Sequence, residues 1–536
     1  MDYRKQRAAI LLVLLAALVL AVFWQSAGFE LIRLDDSKYT LSNPAVRGGL
    51  SWSNVKGAFS TVKIGNFMPV TQLSYMSDAE IFGLKPSGFH ITNVLIHLLN
   101  SVLFFLFLYR ATGSPYKSFF AAALWAVHPL RAESVAWVAE RSDLLSGLFF
   151  FLALFPYSRY AEKKEPAGYL LALSLFFLGI ASKPTLAVFP LILLIFDFWP
   201  LERVQRQGEA VKNLLVEKIP FLALSVLFSV ITLGNQSVSV SNMEERGLPE
   251  LLSTVVSSCA HYLRATFLPV DLVMQYGRPA GYLSGVWAAL AWLALAAAGF
   301  LAWRYRKKAP AEVAGWCWYL AALLPVSGIV PLGFYYVADH FTYLPHAGLM
   351  IALVWGACSV YGKFTKEMRP PGVAGAAALI VLSVLCFRQV SVWRDGYAFF
   401  GYIDRATAGR SALAKNGLAV NDLFAGRFRE AYDNLGKVIE LDPSFRYANG
   451  YKGIAAEKLG RFREAAGLYK KQLQQFPGEM DYSVKLANVL IMAGDLPGAA
   501  RQGLENTGRW PNEKVAWDAV NLLGGEARAR ALALNP

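Results

Sequence analysis

The chain has 536 residues, 55% of them hydrophobic and only 17% charged, with a formal net charge of +14. That length and apolarity exclude a single compact soluble domain, because soluble proteins carry about a quarter charged residues. The excess of Lys and Arg fits the positive-inside bias of a membrane protein, and no basic face interleaved with aromatics suggests nucleic acid.

In chain order, Arg4-Lys5-Gln6-Arg7 precedes an apolar run over 8–24 that reads as an uncleaved signal anchor, since Trp24-Gln25-Ser26 is a poor cleavage site. A mixed stretch over 25–89 reads as a structured outer loop with short interfacial helices. Apolar segments of spanning length follow at about 91–110, 118–135, 143–160, 168–182, 184–200, 217–234, 284–303, 312–332, 343–361 and 372–390. Basic loops at 110–117, 158–164 and 201–212 fall on the N-terminal, cytoplasmic side. The segment 251–267 contains Ser257, Ser258, His261 and Arg264, and the charge rule favours its lying flat at the outer interface. The expectation is eleven spans with an outside C-terminus.

From about Arg405 the composition turns soluble and a period appears. Gly426-Arg427-Phe428-Arg429-Glu430-Ala431 recurs 34 residues on as Gly460-Arg461-Phe462-Arg463-Glu464-Ala465, and Gly494-Asp495-Leu496-Pro497-Gly498-Ala499 is a worn third copy. Pro443, Pro477 and Pro511 keep the same step. This is the tetratricopeptide pattern of helix–turn–helix units that stack into a superhelix and commonly grip a peptide or partner protein. The predicted fold is all-α: a membrane domain over 1–404 and an α-solenoid over 405–536. The four cysteines, Cys259, Cys317, Cys358 and Cys386, lie in or beside apolar segments without metal or disulfide spacing.

Polar groups in apolar segments are costly and mark candidate sites. Asp35-Asp36, just outside the first helix, can supply a general base or hold a divalent cation. Adjacent residues in extended chain point opposite ways, so one of the two faces a given site. His90, Asn93, His97 and Asn100 recur at spacings of 3, 4 and 3, one face of a helix, either a wet groove or an interhelical seam. The run from His128 to Asp143 holds Arg131, Glu133, Glu140 and Arg141; Glu133, Trp137 and Glu140 would share a helical face. Its arginines suit a phosphate, and Glu–Arg pairing is the plain alternative. Lys183-Pro184, Tyr276-Gly277-Arg278 and Asp339-His340 before Tyr343 also face outward in this topology. No G-x-x-x-x-G-K-[ST], G-x-S-x-G or H-E-x-x-H motif is present, which argues against ATP-driven transport and the common hydrolase and metalloprotease mechanisms.

Leu34-Asp35-Asp36 with Asn43-Pro44-Ala45-Val46, the span from Phe89 to Asn100, His128-Pro129 through Asp143, Ser182-Lys183-Pro184 and Asp339-His340-Phe341-Thr342-Tyr343-Leu344-Pro345 together resemble the transmembrane-and-tetratricopeptide O-mannosyltransferases. The resemblance implies a type-C glycosyltransferase fold and a polyprenyl-phosphate sugar donor used on the non-cytoplasmic side, periplasmic if the chain sits in a bacterial inner membrane. It implies that Asp35 or Asp36 deprotonates a hydroxyl of a protein or glycan acceptor, and that Arg131, Arg141, Lys183 and Arg278 meet the lipid phosphate. His90, Asn93, His97, His128, Glu133, Asp143, Asp339, His340 and Tyr343 would line the polar groove. His340 stands where the family pattern suggests arginine. A non-catalytic membrane scaffold carrying the repeats is the competing class.

Overall fold

The computed structural model describes residues 3–60, 67–204, 208–235, 248–274, 286–329, 337–362, 369–523 and 525. Among them every regular element is helical. The chain divides into two compact units, 1–395 and 396–536.

In the first unit the apolar runs become helices whose ends are set by proline and glycine. Helix Pro86–Thr112 begins with its proline in the first turn, where the missing N–H is no loss, and ends at Gly113 in the left-handed conformation (φ 64°). The chain turns back at once into Pro115–Ala126, which packs against it. That helix stops well short of the 135 expected from hydropathy. His128 must adopt an extended backbone (φ −68°, ψ 137°) because it precedes Pro129. Lys183 before Pro184 behaves the same way (φ −149°, ψ 119°), so the apolar stretch after it opens as a 3-10 turn and leaves only Phe189–Phe198 as α-helix. The two proline breaks place polar segments next to one another where hydropathy alone predicts unbroken spans.

Among the described residues, three helices are long and apolar enough to cross a membrane: Tyr3–Gly28, Pro86–Thr112 and Gly372–Ser391. Val211–Glu217 and Ile219–Asn235, bent by 44°, would together make a fourth. Shorter apolar helices include Pro166–Ile180 and Pro345–Tyr361. The most apolar window of Gly372–Ser391 is only 17% buried, and Leu222, Val226, Val230 and Leu233 of the bent pair are exposed. Apolar surface on that scale needs lipid against it, so this is an integral membrane protein. The segment expected to lie flat forms helix Leu248–Phe267, with Tyr262 and Thr266 buried. Helices Pro310–Leu323 and Pro345–Tyr361 meet at Gly315 and Gly348. A Cβ on Gly315 would stand 2.5 Å from the Gly348 carbonyl oxygen, so glycine is what permits this backbone contact.

The second unit opens with Gly396–Ala406, ahead of the point where composition changes. Three helical hairpins follow: Ala412–Phe424 with Phe428–Leu441, Ala448–Lys458 with Phe462–Gln475, and Met480–Met492 with Leu496–Arg509. Each hairpin packs on the next. The 34-residue sequence period is the period of the turns. Gly426, Gly460 and Gly494 all take positive φ (75°, 76° and 82°). A Cβ at any of the three would meet nothing within 4 Å, so the demand for glycine is purely conformational.

Gly460→Ala should therefore cost about 1–2 kcal/mol, the left-handed penalty alone, read as a lower unfolding temperature of the second unit in the intact chain. A cost near zero would mean the turn relaxes out of the left-handed region.

Candidate functional site

Asp36 is fully buried and Asp35 is not; the pair is not extended as expected, because Asp35 is the N-cap and Asp36 opens the short helix Asp36–Tyr39. Asp36 Oδ2 accepts from the Ile32 N–H at 2.9 Å and its Oδ1 accepts from the Ala139 N–H at 2.8 Å. One carboxylate thus ties the stretch after the first helix to the segment 128–143. Asp35 pairs with Lys38 at 2.9 Å, a partly exposed contact of little energetic weight. With both oxygens of Asp36 on backbone donors and Asp35 on Lys38, the structure does not bring the two carboxylates to a shared point.

The segment 128–143 is broken into a 3-10 turn (Pro129–Arg131), a short helix (Ala132–Ala136), a second 3-10 turn (Val138–Glu140) and the start of helix Arg141–Lys163. Trp137 is extended (φ −82°, ψ 114°), so Glu133, Trp137 and Glu140 do not share one helical face. Both carboxylates nevertheless arrive at His340. Glu133 Oε1 lies 2.9 Å from His340 Nδ1, and Glu140 Oε2 lies 3.7 Å from its Nε2. Lys183 stands between Glu140 and Asp143 at 2.9 and 2.8 Å. Beside this cluster, Asp143, Ser146, Lys183, His340 and Tyr343 line a narrow cleft with about 20 Å³ of free space, room for about one water.

Arg141 is not a phosphate ligand here. Its guanidinium is fully buried and bonded to Asp78 (2.6 Å), to Asn93 Oδ1 (2.7 Å) and to the Phe89 carbonyl (2.8 Å), and it lies over the Tyr75 ring at 4.6 Å. Lys183 is likewise committed to two carboxylates. Arg131 is fully buried under the rings of Tyr343 and Trp125, with one amino group on Thr342 Oγ1; its Nε and other amino group have no hydrogen-bond partner. Arg278 lies outside the described residues. Asp78 and Tyr75, which hold Arg141, escaped sequence reasoning because nothing in a mixed polar loop singles them out. The one available signal was that a buried arginine requires a buried carboxylate.

The stripe on Pro86–Thr112 is an interhelical seam, not a wet groove. His90, Asn93, His97 and Asn100 are all buried. His90 Nε2 meets the Glu30 carbonyl at 3.4 Å, and Asn93 donates to the Val135 carbonyl at 3.2 Å. His97 Nδ1 and Asn100 Nδ2 both meet the Tyr343 hydroxyl at 2.9 Å, and His97 Nε2 meets the Ala126 carbonyl. Tyr343 is thus a seam residue with one ring edge on the cleft. His128 Nε2 is held by the Thr266 carbonyl at 3.0 Å and takes no part in the cluster. Asp339 is buried beside His340.

The cluster's electrostatics follow from burial. Burial alone would lower the Lys183 ammonium, but Asp143 and Glu140 overrule it and hold its pKa above the ordinary lysine value. Burial lowers His340 despite the carboxylates around it. Burial also pushes Asp36 up to about 7, against the Ile32 and Ala139 N–H groups and with help from the Asp35 and Glu140 charges.

With this arrangement in view, comparison with known proteins is informative. Residues 74–233 match the dolichyl-phosphate-mannose-protein mannosyltransferase family, a stretch that contains Asp78, Arg141, Glu140, Asp143 and Lys183. Over its most similar segments the chain resembles the protein O-mannosyl-transferases. It is 30% identical over 176 residues to Tmtc1 of Drosophila melanogaster (32% of this chain, 20% of that one). It is 28% identical over 195 residues to human TMTC1 (32% and 22%), and 33% identical over 99 residues to mouse TMTC2 (18% and 12%). The matched segments thus cover no more than about a fifth of these curated relatives' lengths.

Two measurements test this account. Arg141→Ala should destabilise the protein by about 3–5 kcal/mol by stranding Asp78, while Arg141→Met with Asp78→Leu should recover most of that loss; a phosphate-binding arginine would show no such rescue. Asp36 is raised in the folded state, so its ionisation opposes folding. Its contribution to stability falls as pH rises from about 4 to about 7 and is level above. The melting temperature of Asp36→Asn relative to wild type should therefore rise between about pH 5 and about pH 8. A pH-independent difference would mean that Asp36 is already ionised at the lower end.

Proposed function

We propose that this protein is a membrane glycosyltransferase that moves a hexose, mannose or a close relative, from a polyprenyl-phosphate donor to a protein hydroxyl on the non-cytoplasmic side. The observation that carries the reading is the junction of the first outer loop with segment 128–143. Asp36 binds the Ala139 N–H, and the next residue, Glu140, binds Lys183. Carboxylates and cations from separate apolar segments meet at one wall, within or beside the stretch similar to the mannosyltransferases.

In this scheme Asp35 is the general base, because it alone of the pair presents a free edge to solvent, while Asp36 fixes the loop that carries it. The acceptor oxygen attacks the anomeric carbon, its proton passes to Asp35, and the bond from that carbon to the phosphate oxygen breaks, leaving the electron pair on the lipid phosphate. General-base assistance of this kind contributes about 10²–10⁴ in rate. The eleven-span topology belongs to the same proposal, with the proline-broken polar segments at its outer boundary. So does the assignment of the three hairpins as tetratricopeptide repeats that present the acceptor or a partner.

Asp35→Asn should lower transfer from polyprenyl-phosphate mannose to acceptor protein by at least about a hundredfold. Its melting temperature should stay at the wild-type value, and the product is read by mass spectrometry of glycosylated Ser and Thr. Wild-type turnover in this variant would overturn the assignment of the base.

A further inference from the structure

We infer that Glu140, Asp143 and His340 form a divalent-cation site in which the Lys183 ammonium stands in for the ion. One ligand atom from each of the three residues lies within 4.8 Å of the others. Three ligands to a single small ion, at bonds of about 2.2 Å, stand about 3.1–3.8 Å from one another, so the widest pair must close by at most about 1.7 Å when Lys183 withdraws, a movement within reach of side-chain rotation. Two carboxylates and an imidazole suit Mn²⁺ and similar ions of intermediate hardness.

Two observations besides the cluster itself point to a missing ligand. Asp143 Oδ2 and the hydroxyl of Ser146 are buried without a hydrogen-bond partner, and both residues line the cleft beside the cluster. Ser146 is 1% exposed and Asp143 8%. The cleft's free space of about 20 Å³ is that of one ion or one water.

Charge supplies the driving force. Asp36, Glu133, Glu140, Asp143 and Asp339 bring five carboxylates to this wall. Among the described residues, Lys183 and Arg131 are the two cations there not neutralised elsewhere, since Arg141 is paired with Asp78. A buried excess of negative charge is held down either by protons or by a cation. An anionic lipid phosphate would be repelled from such a wall unless positive charge were added. A divalent ion at Glu140 and Asp143 adds it, and it also releases Lys183 from between them. The use of the ion thus rests on the transferase reading, but its binding does not.

The test is direct binding of Mn²⁺ to the detergent-solubilised full chain, followed by the loss of the free-ion electron paramagnetic resonance signal, with no sugar donor present. Wild type should bind one ion. Glu140→Gln and Asp143→Asn should each weaken binding at least about tenfold, and Lys183→Met should tighten it by about tenfold, because a competing ammonium is removed. Lys183→Met guards against misfolding in the carboxylate variants, since a gain in affinity cannot come from a collapsed site. If wild type and Lys183→Met bind no more Mn²⁺ than Glu140→Gln with Asp143→Asn, the inference is overturned and the excess charge is held by protons. Sugar transfer by wild type in the presence of a chelator would then leave the transferase reading standing.

Discussion

A single guanidinium joins the parts on which the candidate site is built. Arg141 begins one long helix, bonds to Asn93 and the Phe89 carbonyl on another, and pairs with Asp78 on a third, Pro69–Phe82. Removed from water, it is tolerable only because every direction around it is answered by an acceptor or an aromatic face. Its position fixes Glu140 on one side and Asp143 on the other. The carboxylates facing Lys183 and His340 are therefore placed by a group that does no chemistry itself. An arginine in an outer polar run suggests an anion ligand, and here burial decides otherwise.

Much of the architecture was legible in the chain. Hydropathy located the apolar helices, and a repeated glycine located the hairpin turns, because left-handed backbone is a local demand that a sequence displays openly. The stripe from His90 to Asn100 was recognisable as one helical face; that it is a seam depended on Tyr343, about 250 residues away in sequence. The errors have a common source. The helix before Pro129 ends earlier than hydropathy suggests and the one after Pro184 begins later, and the pairings Arg141–Asp78 and Lys183–Glu140 depend on where those breaks bring the chain. Charge type can be read along a sequence, whereas commitment to a partner cannot.

The two aspartates show how the same residue type divides labour. Asp36 faces inward and holds two backbone N–H groups, and Asp35 faces outward with an exposed lysine. The buried member sets the position of the loop, and in the proposed mechanism the open member meets the substrate. Rigid support next to an available functional group is what a reacting centre requires.

The evenly spaced glycines of the second unit carry an evolutionary implication. Each hairpin closes with its own turn, and each packs on the next. Duplicating or deleting one such block changes a single interface and leaves every turn intact. Descendants of this chain can therefore lengthen or shorten the second unit in whole steps, while the first unit, whose parts interlock through ion pairs, admits no comparable modular change.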